Sequence, residues 1–258
     1  MAKCGKWEPL VSPAIISGFP KMQEGPLSMA VTCVIPCKGR LHHLRKMLPK
    51  LLSQDDVPGY RVLVVDYGCP DGTFSWCQEQ PHPRLDCIKV LDDTVRFHLS
   101  RARNCGNRLV ETDLIVALDA DCKLGRRGML RRMVRPLLEQ RADVSHVSLI
   151  QADGSIYPAH TCLAYRRADW LAVGGYDEQM TGWGYEDTDF FDRMKAYGAC
   201  HELQANYDDL YLIPHDDGIR AKYYAEKSVA ISWQQNRDLA ENRTEVNPRG
   251  FATFEYAC

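Results

Sequence analysis

The sequence has no run approaching the ~20 apolar residues that a membrane-spanning helix requires. Its N-terminus also lacks the short apolar core of a secretory signal peptide. These two absences argue against a membrane-embedded or secreted protein, and we therefore expect a cytoplasmic one.

An excess of either charge is also missing, since 32 Lys and Arg residues face 34 Asp and Glu residues, for a formal net charge of -2. A global basic field, as in many proteins that bind nucleic acid or anionic membranes, is thereby excluded. Basic residues cluster only locally, at 40–46 and 125–135. Solvated helix faces explain such runs more simply than phosphate-binding patches do.

No CxxC pair occurs among the 11 cysteines, and their number is odd. This pattern argues against a structural zinc site and against a disulfide framework. We expect reduced thiols that mostly fill the core, in or beside predicted elements. Those considered are Cys33, Cys69, Cys87, Cys105, Cys122 and Cys162.

Internal repeats and a mid-chain linker are absent too, so 258 residues with 45% hydrophobic content suit a single domain over 1–258. Residues 1–28 look like an extended lead-in. Apolar, β-branched runs predict strands at 29–36, 60–66, 88–93 and 113–121, and helical spacing predicts helices at 41–54 and 100–111. This alternation predicts an α/β fold with a mostly parallel sheet and helices on both faces.

The second half of the chain is less regular. A strand followed by a helix is predicted over 161–175, a helix over 187–198 and a strand over 211–214. A long helix is predicted over 222–243, with Trp233 on its apolar side.

Ligands of open α/β sheets bind outside the carboxyl ends of the strands, and this rule selects residues 36–40, Asp66, Asp119 and Asp121. Residues i and i+2 of an extended segment point to one side, so Asp119 and Asp121 can converge. Two carboxylates that close would repel each other, and a cation resolves the conflict. The alternative is that acids at strand ends only form turns, and for Asp66 alone both readings stay open.

The segment GWGYEDTDF, residues 182–190, places Glu186 and Asp187 side by side behind a tryptophan flanked by two glycines. Asp187 opens a predicted helix, where an aspartate can act simply as a cap. Capping does not account for Trp183 or for the glycines beside it.

Five segments occur in the order VTCVIPCKGRLHHL, SRARNCGN, LDAD, GGYDE…GWGYEDTDF and IPHDD. Together they resemble the metal-dependent glycosyltransferases of the GT-A fold, which is Rossmann-like. More closely, they are similar to family 2 enzymes that share their carboxyl-terminal signature with the β-1,4-galactosyltransferases. The resemblance covers residues 30–216 approximately, and GWGYEDTDF is its most specific part.

The resemblance implies a division of labour: 29–121 as the nucleotide-sugar-binding half, 122–216 as the acceptor and catalytic half, and 217–258 as a C-terminal helical tail. Donor contacts are implied for Pro36, Lys38, Arg40, Asp66, Arg101 and Asp119. The metal, Mn²⁺ or Mg²⁺, is assigned to Asp121 and His215. Galactosyltransferases have a metal-binding methionine three residues before that histidine; Leu212 stands here, so we expect lower metal affinity.

For the acceptor, the resemblance implies that Trp183 packs on a sugar ring and that Gly184 lets the chain pass close to the sugars. Glu186 would hydrogen-bond acceptor hydroxyls, and Asp187 would be the catalytic base.

The implied reaction is an inverting transfer of a hexose or N-acetylhexosamine from a nucleotide sugar, best a UDP-sugar, to an acceptor hydroxyl. A chain without an anchor suits a bacterial cytosol or a phage-infected host cell. The acceptor is then a glycan, a small molecule or, as a hypothesis drawn from the basic run 125–135, a modified base in phage DNA, although the net charge does not favour nucleic acid. Two alternatives stay open, a nucleotidyltransferase and a catalytically inactive nucleotide-sugar-binding module. The first has no use for GWGYED, and the second has no reason to keep base and metal ligands together.

Overall fold

The computed structural model describes residues 5–7, 30–91 and 94–258. Most of the predicted lead-in and the end of the strand predicted over 88–93 therefore lie outside the described residues. The strands are β1 (Gly5–Trp7), β2 (Val31–Cys37), β3 (Arg61–Asp66), β4 (Leu85–Val90), β5 (Leu114–Ala117), β6 (Cys122–Leu124), β7 (Val144–Ile150), β8 (Ile156–Arg166), β9 (Cys200–Ala205), β10 (Leu210–Leu212) and β11 (Phe254–Ala257). The helices are α1 (Leu41–Leu52), α2 (Thr73–Gln78), α3 (Leu99–Leu109), α4 (Met129–Leu138), α5 (Arg167–Ala172), α6 (Glu186–Tyr197), α7 (Asp217–Ala221) and α8 (Val229–Asn242).

A nine-stranded sheet in the order β1-β11-β4-β3-β2-β5-β8-β7-β9 forms the centre of the fold. Strand β2 is buried on both faces: Cys33 and Ile35 join one hydrophobic cluster, and Val34 joins the other. Helices α1, α2 and α4 contribute to the first cluster, and α3, α5 and α6 to the second. Burial on both faces explains the continuous apolar runs of β2 and β3 and confirms the predicted α/β fold.

The sheet is parallel over β4-β3-β2-β5, as predicted, but mixed beyond it. Strand β8 runs antiparallel to β7, with which it forms a hairpin, and also antiparallel to β5. The sequence patterns assign no element to residues 144–149, and we expected a loop over 150–165, most of which is strand β8. The local signal was the Asp153–Gly154 turn, which is typical of hairpins.

Two predicted elements are shorter than expected. The strand predicted over 113–121 ends at Ala117, and the D-x-D residues leave the sheet in a turn where the amide of Cys122 donates to the carbonyl of Asp119 (2.9 Å). The helix predicted over 222–243 begins only at Val229. Its Trp233 is 36% exposed rather than core, and its buried residues are Ser232 and Asn236.

The cysteines considered from the sequence are free thiols; all are buried except Cys69, which is half-buried. Cys258 differs, because it is disulfide-bonded, and there the expectation of reduced thiols was wrong. Among the residues described, no helix combines the length and apolar character needed to cross a bilayer.

Candidate active site

A two-stranded ribbon brings the second D-x-D aspartate to the histidine. Strands β6 and β10 pair antiparallel with Leu212 opposite Cys122, and the amide of Ile213 donates to the carbonyl of Asp121 (2.9 Å). Two residues further on, Nδ1 of His215 lies 3.3 Å from Oδ2 of Asp121 and 3.1 Å from the carbonyl oxygen of Ile213. The structure thus brings together the two residues that the sequence assigned to a metal.

His43, on the first turn of α1, joins this pair and was missed in the sequence. His43, Asp121 and His215 each offer a ligand atom, and these atoms all lie within 4.8 Å of one another. His43 is only 3% exposed, and its Nδ1 has no hydrogen-bond partner within the described part of the chain. Burial, with added repulsion from His42 and Arg40, lowers the pKa of His43 to about 3, so the ring is neutral. A histidine inside a basic helical run is normally interpreted as structural, so sequence patterns did not indicate a role for His43 in metal binding.

These three residues fit a divalent cation. Their donor set is one carboxylate and two imidazoles, which suits Mn²⁺ and the later transition metals better than Mg²⁺. Burial and the nearby charge of Asp119 raise the pKa of Asp121 to about 6, against the influence of Arg40. A bound cation would remove the cost of holding these acids together.

Arg103 connects the D-x-D to the GWGYED segment. It is 2% exposed and donates to Oδ1 of Asp119 (2.8 Å) and to Oε1 of Glu186 (3.2 Å). Its guanidinium carbon also lies 5.0 Å from the ring centre of Tyr176. Sequence reasoning missed this arginine and chose Arg101 instead.

Arg101 points elsewhere: it donates to the hydroxyl of Tyr67 (3.0 Å) and to the carbonyl of Thr253 (2.8 Å). Two residues along an α-helix differ by about 200° in direction, so only one of Arg101 and Arg103 can face the D-x-D. The structure places Arg103 at the D-x-D, and the donor role expected for Arg101 stays a prediction.

The two adjacent acids differ sharply in environment. Glu186 is 3% exposed, its Oε2 is buried without a partner, and burial together with the charge of Asp187 raises its pKa to about 8. Asp187 is half-buried in the first turn of α6, and its Oδ1 accepts from the amide of Thr188 (2.8 Å). Glu186 therefore faces Arg103, whereas Asp187 is the more accessible carboxylate.

A small pocket of about 70 Å³ lies beside this network. Such a volume admits a cation with a few waters or a phosphate group, not a whole nucleotide sugar, which needs a cleft of several hundred Å³. Its lining includes seven residues selected from the sequence, Pro36, Lys38, Arg40, Asp119, Asp121, Trp183 and His215. Tyr223 and Tyr224, which precede α8, also line it and were not predicted.

The two basic residues of the β2–α1 loop are used differently. Lys38 is buried, and its Nζ donates to the carbonyls of Tyr67 (3.1 Å), Gly68 (3.1 Å) and Thr94. Arg40 donates through Nη2 to the carbonyl of Ile219 (3.0 Å), but its buried Nη1 finds no partner among residues 5–7, 30–91 and 94–258. Arg40 is therefore the better placed of the two to bind an anion in the pocket.

Asp66 does not line the pocket. It is 1% exposed, and its two oxygens accept from the amides of Cys69 (2.7 Å) and Phe74 (2.8 Å). These bonds shape the turn after β3 and match the turn-forming alternative raised from the sequence. Burial raises the pKa of this carboxyl, against those hydrogen bonds.

The glycines of GWGYED allow close packing on α8. A methyl group at Gly182 would lie 1.9 Å from Oγ of Ser232, and one at Gly184 would lie 2.9 Å from the Trp233 ring. Gly184 also has φ +87°, and its carbonyl accepts from Asn236 (2.7 Å). The neighbour of these glycines is a helix, whose buried face is small and polar for the same reason, and the expectation that Gly184 also lets the chain pass close to sugars stays a prediction.

A family model described as glycosyl transferase family 2 matches residues 32–199 of this chain. Solved structures share the fold. Residues 1–349 of TarS from S. aureus align with a TM-score of 0.58 and 17% identity, covering 69% of this chain and 60% of that one. The same protein in complex with UDP-GlcNAc gives 0.58 and 17%, covering 69% and 58%.

The mannosyltransferase PcManGT from Pyrobaculum calidifontis, in complex with GDP-Man and Mn²⁺, aligns with a TM-score of 0.60 and 19% identity, covering 84% of this chain and 66% of that one. The present chain thus spans about 60% of the length of the TarS 1–349 structure. No curated protein sequence matches it significantly. At these identities the structures establish a shared GT-A fold.

Proposed function

We propose a specific reaction for this chain, which belongs to glycosyl transferase family 2 and is a glycosyltransferase. It moves a hexose or N-acetylhexosamine from a nucleotide sugar, with a UDP-sugar the first choice, to an acceptor hydroxyl with inversion at the anomeric carbon. One observation carries the proposal: Arg103 joins Asp119 of the D-x-D to Glu186 of GWGYED. The metal-binding and base-bearing segments of the galactosyltransferase-type pattern thereby belong to one buried network.

The donor's diphosphate is assigned to the small pocket. Asp121 and His215 would hold the Mn²⁺ or Mg²⁺ there, and the bound ion supplies Lewis-acid stabilisation of charge on the leaving diphosphate. Arg40 directs an unpartnered Nη1 into the same region and would bind a phosphate oxygen. Lys38 would act indirectly, because its three hydrogen bonds to backbone carbonyls fix the loop that carries Arg40.

Asp187 is the proposed general base, which takes a proton from the acceptor hydroxyl as its oxygen attacks. Base catalysis of this kind contributes about 10²–10⁴-fold. The environment separates the two neighbouring acids: burial and the charge of Asp187 raise the pKa of Glu186 to about 8, so Glu186 retains a proton at neutral pH, whereas Asp187 is the more accessible carboxyl. Glu186 then acts through Arg103 as a positioning residue rather than as a direct acceptor contact.

For the acceptor, we propose a carbohydrate hydroxyl bound against Trp183, which lines both the pocket and an adjoining surface cleft that Trp233 borders. The halves 29–121 and 122–216 would then carry donor and acceptor, respectively. A DNA acceptor stays a hypothesis, and the basic run 125–135 adds little to it. Four of its five arginines form ion pairs with acids, Arg126 with Asp208, Arg127 with Asp55, Arg132 with Asp209 and Arg135 with Glu139.

The test is turnover with a panel of UDP-, GDP- and dTDP-sugars, Mn²⁺ and simple saccharide acceptors, read as release of nucleoside diphosphate. Wild type should release it, and Asp187→Asn should not, with donor binding retained. Release of pyrophosphate from a nucleoside triphosphate would instead establish the nucleotidyltransferase alternative. Donor binding without release in any combination would favour the inactive binding module.

A further inference from the structure

We propose that His43 is a third protein ligand of the divalent cation, alongside Asp121 and His215. The inference rests on the proposed metal dependence and goes beyond it, because it names a ligand from α1 and predicts which metals the site prefers. Neither the D-x-D nor the histidine after β10 points to α1.

The first argument is the distances between the candidate ligand atoms. Two atoms bound to one ion at about 2.0–2.2 Å lie at most about 4.4 Å apart. The ligand atoms of the three residues already lie within 4.8 Å of one another. Rotation of the two imidazole side chains would bring the three atoms to the coordination distance of a single ion.

The second argument is the unpaired Nδ1 of His43. His43 is 3% exposed, and no described residue pairs with its buried Nδ1, although a buried polar atom without a hydrogen bond destabilises the fold. Its ring centre lies 5.5 Å from that of His215. A cation bound between the two rings would give the buried Nδ1 of His43 a partner.

His215 shows the complementary arrangement. Its Nδ1 lies 3.1 Å from the carbonyl oxygen of Ile213, so a proton on Nδ1 can be donated there, which leaves Nε2 free for a metal. Metal-binding histidines usually orient themselves in this way, through a bond from the other nitrogen. The ring is thus held for coordination before any ion binds.

The ligand set determines metal choice. Two imidazoles and one carboxylate favour Mn²⁺, Co²⁺ and Zn²⁺ over Mg²⁺, since Mg²⁺ takes oxygen ligands. His43 also compensates for Leu212, which cannot bind metal where galactosyltransferases have methionine.

The experiment measures metal binding to the full chain without substrate. Calorimetric titration gives the Kd for Mn²⁺ and Mg²⁺, and pulsed electron spin resonance of bound Mn²⁺ counts coupled histidine nitrogens, with ¹⁵N-histidine labelling to assign them. The variants are His43→Gln, Asp121→Asn and, as matched control, His42→Gln. His42 is the neighbouring residue on α1 but is exposed and outside the cluster.

Wild type should show two histidine nitrogens, and His43→Gln should show one, with a Kd for Mn²⁺ at least about tenfold higher. His42→Gln should keep both histidine nitrogens and change the Kd far less than His43→Gln, because His42 packs against the His43 ring but is outside the cluster. His43→Asp should keep binding but shift the preference toward Mg²⁺, and it decides the matter if His43→Gln fails to fold.

Two other results would overturn the inference. If His43→Gln binds Mn²⁺ like wild type while Asp121→Asn does not, the site excludes His43, and the proposed transferase function is untouched. If wild type binds no Mn²⁺, the cation assignment itself fails, and the inference with it. A nucleotide sugar that binds and turns over without metal would then still support the transferase.

Discussion

Replacement of Arg103 by methionine tests the buried network most sharply. The side chain is fully buried and pairs at 2.8 Å with Asp119 and at 3.2 Å with Glu186. Methionine keeps most of the volume and removes the charge and the donors. We expect a large loss of stability and a displaced D-x-D.

The structure sets the size of the loss. Removing one partner from a buried pair costs about 3–5 kcal/mol, because a charge is left uncompensated. Two features moderate this cost: Glu186 can hold a proton, and the Asp119 side chain remains 27% exposed and can be hydrated. We therefore expect the lower end, about 3 kcal/mol, or a fall in Tm of about 6–12 °C for a domain of this size.

Urea unfolding at pH 6 and pH 9 is the assay. Because Arg103 lowers the pKa of Glu186, its removal raises that pKa further, so the stability gap between wild type and Arg103→Met should widen as pH rises. Arg61→Met is the control, since it breaks an exposed pair with Asp86 and should cost less than about 1 kcal/mol. A cost below about 1 kcal/mol for Arg103→Met, or a gap independent of pH, would refute the buried network.

Three further outcomes are expected. The pKa of Glu186 is higher in the folded state than in the unfolded state, so the folded state holds the extra proton and the unfolding free energy should fall from pH 4.5 to about 8. Glu186→Gln should flatten that pH profile in urea titrations, and an unchanged profile would contradict the assignment. Gly182→Ala should lower the unfolding free energy by about 1–3 kcal/mol, because its methyl group clashes with Oγ of Ser232. Adding Ser232→Ala should restore part of that stability, and a double variant less stable than Gly182→Ala would argue against the packing. Asp187→Asn should lower kcat by about 10²–10⁴-fold while the donor still raises Tm, and near-normal turnover would remove Asp187 as base.

Much of the fold could be read from local patterns. The strands at 29–36 and 60–66 are apolar on both faces because helices cover both sides of the sheet, and such continuous apolar runs are recognisable in the sequence. The hairpin of β7 and β8 was missed because its strands carry short, interrupted patterns. Their pairing depends on tertiary contacts, and only the turn at 153–154 marks it.

The candidate site was predictable where residues follow strands. Asp119 and Asp121 were selected because strand ends converge, and His215 was selected through the family resemblance; the structure places Asp121 beside His215. Arg103 and His43 were not found, since both belong to helices whose rotation about their own axes decides which side chain faces the site. Sequence spacing cannot separate Arg101 from Arg103 without that rotation.

The glycines of GWGYED illustrate a different limit. Their need for space was correctly inferred, but sequence alone could not name the neighbour. The neighbour is α8, about 50 residues later, and its Ser232 and Asn236 look like surface residues until the packing is known.

The most direct measurement is titration of nucleotide sugars into the protein with and without Mn²⁺, for wild type and Asp121→Asn. We predict that one nucleotide sugar binds wild type in Mn²⁺, and that removing the ion or the carboxylate weakens binding at least about tenfold. If no nucleotide sugar binds under either condition, the donor site assigned to Arg40, Asp119 and Asp121 is wrong.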